Sequence, residues 1–123
     1  MRHEVTDADT ALAVGSGDVP VLATPRLIAW LEAATVRAAA RFTESGQTSV
    51  GTEVRVRHVR ATPVGGRVEV SAEPAAAMAD GRVTFVVRAV DGSGRLVATG
   101  EIERAIVHRE RFLARLPDPA TES

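Results

Sequence analysis

Cysteine is absent from the 123 residues, so neither a disulfide framework nor a thiolate metal or nucleophile site is possible. Lysine is absent too: all 15 basic residues are arginine, whose planar fork suits phosphate or carboxylate, although a GC-biased genome would make the same replacement. Against 16 acidic residues they leave a formal net charge of -1, so no overall field draws the chain to nucleic acid or to an anionic membrane. No stretch approaches the roughly 20 apolar residues of a membrane span, and the N-terminus has no basic start followed by an apolar run, which makes a cytoplasmic protein the expectation. The phosphate loop, the HExxH pair, the dinucleotide fingerprint and the G-x-S-x-G elbow are all missing. Neither a metal nor a separate cofactor is expected, and the partner is a small molecule or a second copy of the chain.

What is present suits one compact core, since the length is too short for two ordinary domains and residues 1–123 read as one unit. Arg2 to Val14 read as a short strand followed by the loop Gly15-Ser16-Gly17-Asp18. At Thr24-Pro25 a helix is expected to begin, with Thr24 as its N-cap and Pro25 at the first helical position. Leu27, Leu31, Ala34, Ala38 and Phe42 then recur at helical spacing up to Ser45-Gly46. Beyond Gly46 the pattern changes to β-branched residues at period two, predicting strands over Thr48 to Ala61, Arg67 to Ala76, a stretch carrying Val83, Phe85, Val87 and Ala89, and Arg95 to His108. Asp80-Gly81 is the strongest two-residue hairpin signal, and a tail from about residue 113, with Pro117, Asp118 and Pro119, is expected to be flexible.

A strand, a long helix and four strands joined mainly by short turns imply an antiparallel sheet. One helix cannot cover both faces of such a sheet, so the economical arrangement is an α+β hot-dog fold, a five-stranded sheet wrapped around one long central helix. The segment from Arg82 to Val90, guarded only by Arg82 and Arg88, is the expected exposed edge, through which two copies would pair as a homodimer or larger closed assembly.

Few residues in this frame are placed for chemistry. Glu32 lies between Leu31 and Ala33 on the flank of the apolar stripe. A carboxylate there is partly withdrawn from water, which suits base or nucleophile work, while an exposed helix glutamate is the plainer reading of the same spacing. His58 follows Val54 and Val56 on the face that alternation turns inward, so it is either a buried, hydrogen-bonded histidine or a site residue. Capping alone accounts for Thr24, yet a helix N-terminus also favours an anion. Arg104 alternates with Ile102 and Ile106, which sets a guanidinium on an apolar face where it needs an anionic partner, either a substrate or a structural carboxylate.

The stretches Leu22-Ala23-Thr24 through Leu31-Glu32-Ala33 with Val36-Arg37, Ser49-Val50-Gly51-Thr52 through Val56-Arg57-His58 with Ala61-Thr62-Pro63, and the GEIERAIVH of Gly100 to His108 carry a family likeness. On them the chain resembles the fluoroacetyl-CoA thioesterase-like branch of the hot-dog superfamily, from Val21 to about Phe112. The resemblance implies a Thr/Glu/His catalytic group on Thr24, Glu32 and His58, a glycine at the acyl site on Gly51, and a substrate contact on Arg104. It implies hydrolysis of a small acyl-CoA or carrier-bound thioester, with coenzyme A entering as part of the substrate. By that analogy Glu32 attacks the carbonyl or activates a water, Thr24 orients it, and His58 handles protons. Two features depart from the family. Gly15 to Ala23 contains no Phe, Trp or Tyr where the fluoroacetyl-specific member has an aromatic-rich lid, and Pro25 removes a backbone N–H, so an oxyanion donor must come from elsewhere. A non-catalytic binding protein that kept the pocket is the alternative, and a hot-dog hydratase lacks its usual Asp and His pair here.

Overall fold

The structure, a computed structural model, describes residues 1–121. In chain order the elements are β1 (Arg2–Glu4), a short helix α1 (Ala11–Val14), the long helix α2 (Thr24–Ala39), β2 (Gln47–His58), β3 (Arg67–Pro74), β4 (Arg82–Asp91), β5 (Leu96–His108) and a terminal helix α3 (Arg109–Ala114). The five strands form one antiparallel sheet in the order β1-β3-β4-β5-β2. The sheet curls around α2, as expected of the hot-dog architecture. The tail expected to be flexible starts at the end of α3, and its last two residues lie outside the described ones.

The core is the meeting of two periodicities. Leu27, Leu31 and Ala34 come from one stripe of α2, and Val68, Val70, Val83, Phe85, Val87, Ala89, Val97 and Ile102 come from alternate positions of the sheet. All of these are buried, so the apolar face of the helix and the concave face of the sheet close on each other. At the other side of α2, Trp30 stacks on His3 with ring centroids 4.2 Å apart, which pins β1 to the helix.

Turn chemistry fixes the register of the inner strands. Asp80 and Gly81 both take positive φ, 53° and 71°, and Ala79 and Arg82 exchange hydrogen bonds across them, the geometry that Asp-Gly supplies at low cost. Gly100 meets a tighter constraint. A Cβ there would lie 2.8 Å from the Cα of Val56 and closer still to the carbonyl of Arg55, so only glycine lets β2 cross β5 at this point.

Three expectations are corrected. β4 is an interior strand between β3 and β5, not an edge, because residues 59–66 do not form a hairpin. They carry the chain across the molecule, anchored by Leu22 N–H donating to the Thr62 carbonyl and Gly65 N–H donating to the Val5 carbonyl. The edges are therefore the three-residue β1 and the twelve-residue β2. The long helix stops at Ala39 and passes through a single 3-10 turn, Ala40–Phe42, before the expected Ser45-Gly46. Thr24 is the first helical residue and not the cap: Ala23 holds the cap position with extended backbone and no side-chain bond, which leaves the Thr24 hydroxyl free for another partner.

Candidate active site

That partner is His58. The C-terminal end of β2 lies beside the N-terminal end of α2, and Thr24 Oγ1 is 2.7 Å from His58 Nδ1. The two line a cleft of about 360 Å³ with Val19, Val21, Val59 and Arg60. Part of the segment Gly15 to Ala23, the aromatic-free stretch, forms one wall, so the wall is aliphatic and polar. Burial lowers the His58 imidazole below its ordinary value, opposed more weakly by the nearby Arg60 backbone. The ring is therefore neutral near neutral pH, and a neutral ring can accept a proton through one nitrogen. Its Nε2 is buried and has no hydrogen-bond partner among the described residues.

Glu32 belongs to a second group. Its Oε2 stands 3.7 Å from Nη1 of Arg104, a residue only 6% exposed. The guanidinium is held by Ser49 as well, Nε donating to Oγ at 2.9 Å and Nη2 to the carbonyl at 3.0 Å. Burial lowers the Arg104 guanidinium from its ordinary range, and Glu32 works against that shift. Gly51 faces Arg104 in the β2–β5 ladder, and a Cβ on it would lie 2.8 Å from Glu32 Oε2 and 3.5 Å from Arg104 Nη1. Its missing side chain makes room for the carboxylate as well as for any ligand. Directly after it the ladder slips by one residue between Gly51 and Glu53, so Thr52 is a bulge that re-aims the strand.

The two groups do not meet within one chain. Thr24 and Glu32 are eight residues apart on α2, about 12 Å of helix axis, and Gly51 and His58 are seven apart on β2, roughly 20 Å of strand. One chain thus brings Thr24 to His58 at the C-terminal end of β2, and Glu32 to Arg104 and Gly51 in the N-terminal half of the same strand. Ser49 had been assigned no part. Its signal was available, since it shares a face of β2 with Gly51 and lies two ladder positions from the Gly51–Arg104 pair. No helix among the described residues is long and apolar enough to cross a membrane, and no group of three or more His, Asp or Glu among them is placed to hold a metal ion.

The chain as a whole is similar to known thioesterases. The model of the fluoroacetyl-CoA-specific thioesterase family matches residues 5–110. The fluoroacetyl-CoA thioesterase of Streptantibioticus cattleyicolor is 38% identical over 96 residues, 78% of this chain and 68% of that one. A crystal structure of a point mutant of the fluoroacetyl-CoA-specific thioesterase FlK, in complex with fluoroacetate and CoA, superposes with a TM-score of 0.84 at 32% identity, covering 94% of this chain and 93% of that one. A thioesterase superfamily member from Thermus thermophilus gives a TM-score of 0.84 at 27% identity over 93% of this chain and 83% of its own.

Proposed function

The chain belongs to the fluoroacetyl-CoA-specific thioesterase family, and on that premise we propose that it hydrolyses a small acyl thioester of coenzyme A or of a carrier protein, using Thr24, Glu32 and His58. The observation that carries this reading is the 2.7 Å contact between the Thr24 hydroxyl and a half-buried imidazole whose ordinary value is lowered. A threonine freed from capping and a neutral histidine form a proton-transfer pair beside a cleft. Glu32 supplies the oxygen that reaches the thioester carbonyl, as nucleophile or through a water it deprotonates. In the water route Glu32 takes one proton of the water as the oxygen adds to the carbonyl. The C–S bond breaks, and that proton passes through His58, which starts and ends neutral, to the departing thiolate while Thr24 fixes the ring. In the nucleophile route the acyl–Glu32 anhydride is then hydrolysed by a water that supplies the proton in the same way. Fluoroacetyl selectivity is not part of the proposal, because the cleft wall lacks aromatic side chains.

The complete site needs two copies. β2 presents an unpaired edge of twelve residues, and the charges that would guard it are partly spent inside the chain, where Arg55 pairs with both Glu53 and Glu101. Antiparallel pairing of two β2 strands about a two-fold axis between Val54 and Arg55 sets Gly51 of one copy beside His58 of the other. Glu32, Gly51 and Arg104 of one chain then face Thr24 and His58 of its partner, Arg104 reaching the substrate side through Glu32. Two composite sites per dimer follow. This working form is a cytoplasmic homodimer, or a larger assembly built from it.

Release of free thiol from a panel of short, branched and aromatic acyl-CoAs tests the activity. Turnover of a short-chain member that is lost in Glu32→Gln supports it. Binding without turnover across the panel would instead favour a non-catalytic ligand-binding role.

A further inference from the structure

The first turn of α2 carries Thr24 but has little of its own to hold it in place. Ala23 caps it without a side-chain bond, and the turn has no acidic residue to answer the partial positive charge of a helix N-terminus. Both needs are met from outside the helix by one residue, Asp9, at the end of the 3-10 turn Asp7–Asp9. Its carbonyl accepts the Ala23 N–H at 2.9 Å, and its Oδ1 stands 3.2 Å from Nε of Arg26. Asp9 thus grips the chain on either side of Thr24.

The carboxylate is itself held. Oδ2 accepts from the Thr6 amide at 2.8 Å and from the Thr6 hydroxyl at 2.9 Å, and the side chain is only 15% exposed. Arg26 Nε is buried and makes no hydrogen bond among the described residues, so its contact with Asp9 is ionic. A bridge between Thr10 and Leu22 ties the same two segments together. Neither Asp9 nor Arg26 is among the residues that line the Thr24–His58 cleft.

We propose that Asp9 and Arg26 are positioning residues for the hydrolysis, their ion pair fixing the first turn of α2 so that the Thr24 hydroxyl meets His58 Nδ1. The proposal rests on the thioesterase reading for its kinetic consequence and on the contacts above for its geometry. Thr24 is the first helical residue, where a helix frays most readily, and its Oγ1 must stay within hydrogen-bond reach of the ring. A drift of about 1 Å would break that contact and misplace the pair that moves the proton. Because Arg26 is 40% exposed, the ion pair adds little to overall stability, and its loss is felt in placement.

Asp9→Asn, Arg26→Gln and Arg26→Lys are compared with the wild type and with Thr24→Val. The readouts are kcat, KM, thermal melting and the ring-nitrogen NMR signals of isotope-labelled His58, assigned with His58→Ala. Asp9→Asn and Arg26→Gln should each lower kcat about tenfold, with KM within about twofold of wild type and the melting temperature close to it. Arg26→Lys keeps the charge and should retain most of the rate, since the contact is ionic. In a Thr24→Val background the loss should vanish, because the pair acts through that hydroxyl. The His58 Nδ1 signal should move in Asp9→Asn and Arg26→Gln toward its position in Thr24→Val. An Nδ1 signal that stays in place, a kcat loss undiminished beside Thr24→Val, or a loss matched by a fall in melting temperature would overturn the proposal. Should the wild type hydrolyse no thioester, the thioesterase reading fails, and the His58 signal still decides whether Asp9 and Arg26 place Thr24.

Discussion

The Cβ that Gly51 lacks would fall 2.8 Å from Oε2 of Glu32, nearer than real Cβ contacts come. The glycine is thus fitted to the carboxylate that we propose acts in the hydrolysis. In Gly51→Ala the carboxylate must move, and because it ends a flexible side chain the fold should absorb the change. A misplacement of about 1 Å at a reacting group costs on the order of a hundredfold in rate. We expect that loss in kcat with a melting temperature close to wild type, measured by thiol release and by circular dichroism. Full activity in Gly51→Ala would separate Glu32 from the chemistry.

Thr24 gives a sharper distinction, because Ala23 occupies the cap position and Thr24 Oγ1 is turned to His58. Thr24→Val should leave stability within about 0.5 kcal/mol and should cut turnover, while Thr24→Ser retains much of it. A capping threonine behaves in the opposite way. Its loss costs about 1 kcal/mol of stability and leaves activity in place.

Glu32 links activity to stability. Glu32→Gln should lower turnover at least about a hundredfold, the lower range for a general-base contribution. It also leaves the buried Arg104 with Ser49 alone. Since Glu32 is itself partly exposed and screened, the stability cost should be only about 1 kcal/mol, seen as a small shift in the urea midpoint. A variant that keeps normal turnover would remove Glu32 from the mechanism.

Much of this was legible in the chain before folding. Period-two alternation around Val83, Phe85, Val87 and Ala89 fixed one buried face, and Asp80-Gly81 fixed its hairpin. The role of Thr24 was not legible. Threonine before proline is as good a cap as any, and only the chain crossing that brings His58 alongside gives its hydroxyl a different partner. The edge was misplaced for a related reason. Sequence spacing favours neighbours as partners, whereas β5, at thirteen residues, pairs with β4 on one side and with the distant β2 on the other. Arg104 announced that it needed an anion, but that the anion is Glu32 follows from the depth at which α2 sits in the curl of the sheet.

The histidines set the acid limit. Burial is the first cause of the lowered His58 and of the lowered His3, so both take up protons more readily in the unfolded chain, at about the usual 6.5, than in the folded one. Their contribution to stability is complete above that value. It is lost as pH falls through 6.5 toward the lower folded values, and kcat/KM should show its acid limb below 6.5 as well. Chemical denaturation from pH 7.5 to pH 5 should record the loss, with a shallower slope in His58→Ala. A stability that rises on acidification over this range would contradict the burial of both rings.

Mixing two inactive variants tests the composite site most directly. Glu32→Gln and His58→Ala chains, carrying different tags so that mixed dimers can be counted, are exchanged and assayed for thioester hydrolysis. If Glu32 of one copy serves Thr24 and His58 of the other, every mixed dimer regains one intact site of its two. Random exchange then restores roughly a quarter of wild-type activity. A mixture that contains the mixed dimers yet is no more active than either variant alone would place the whole site within one chain and contradict the assignment of its parts to two.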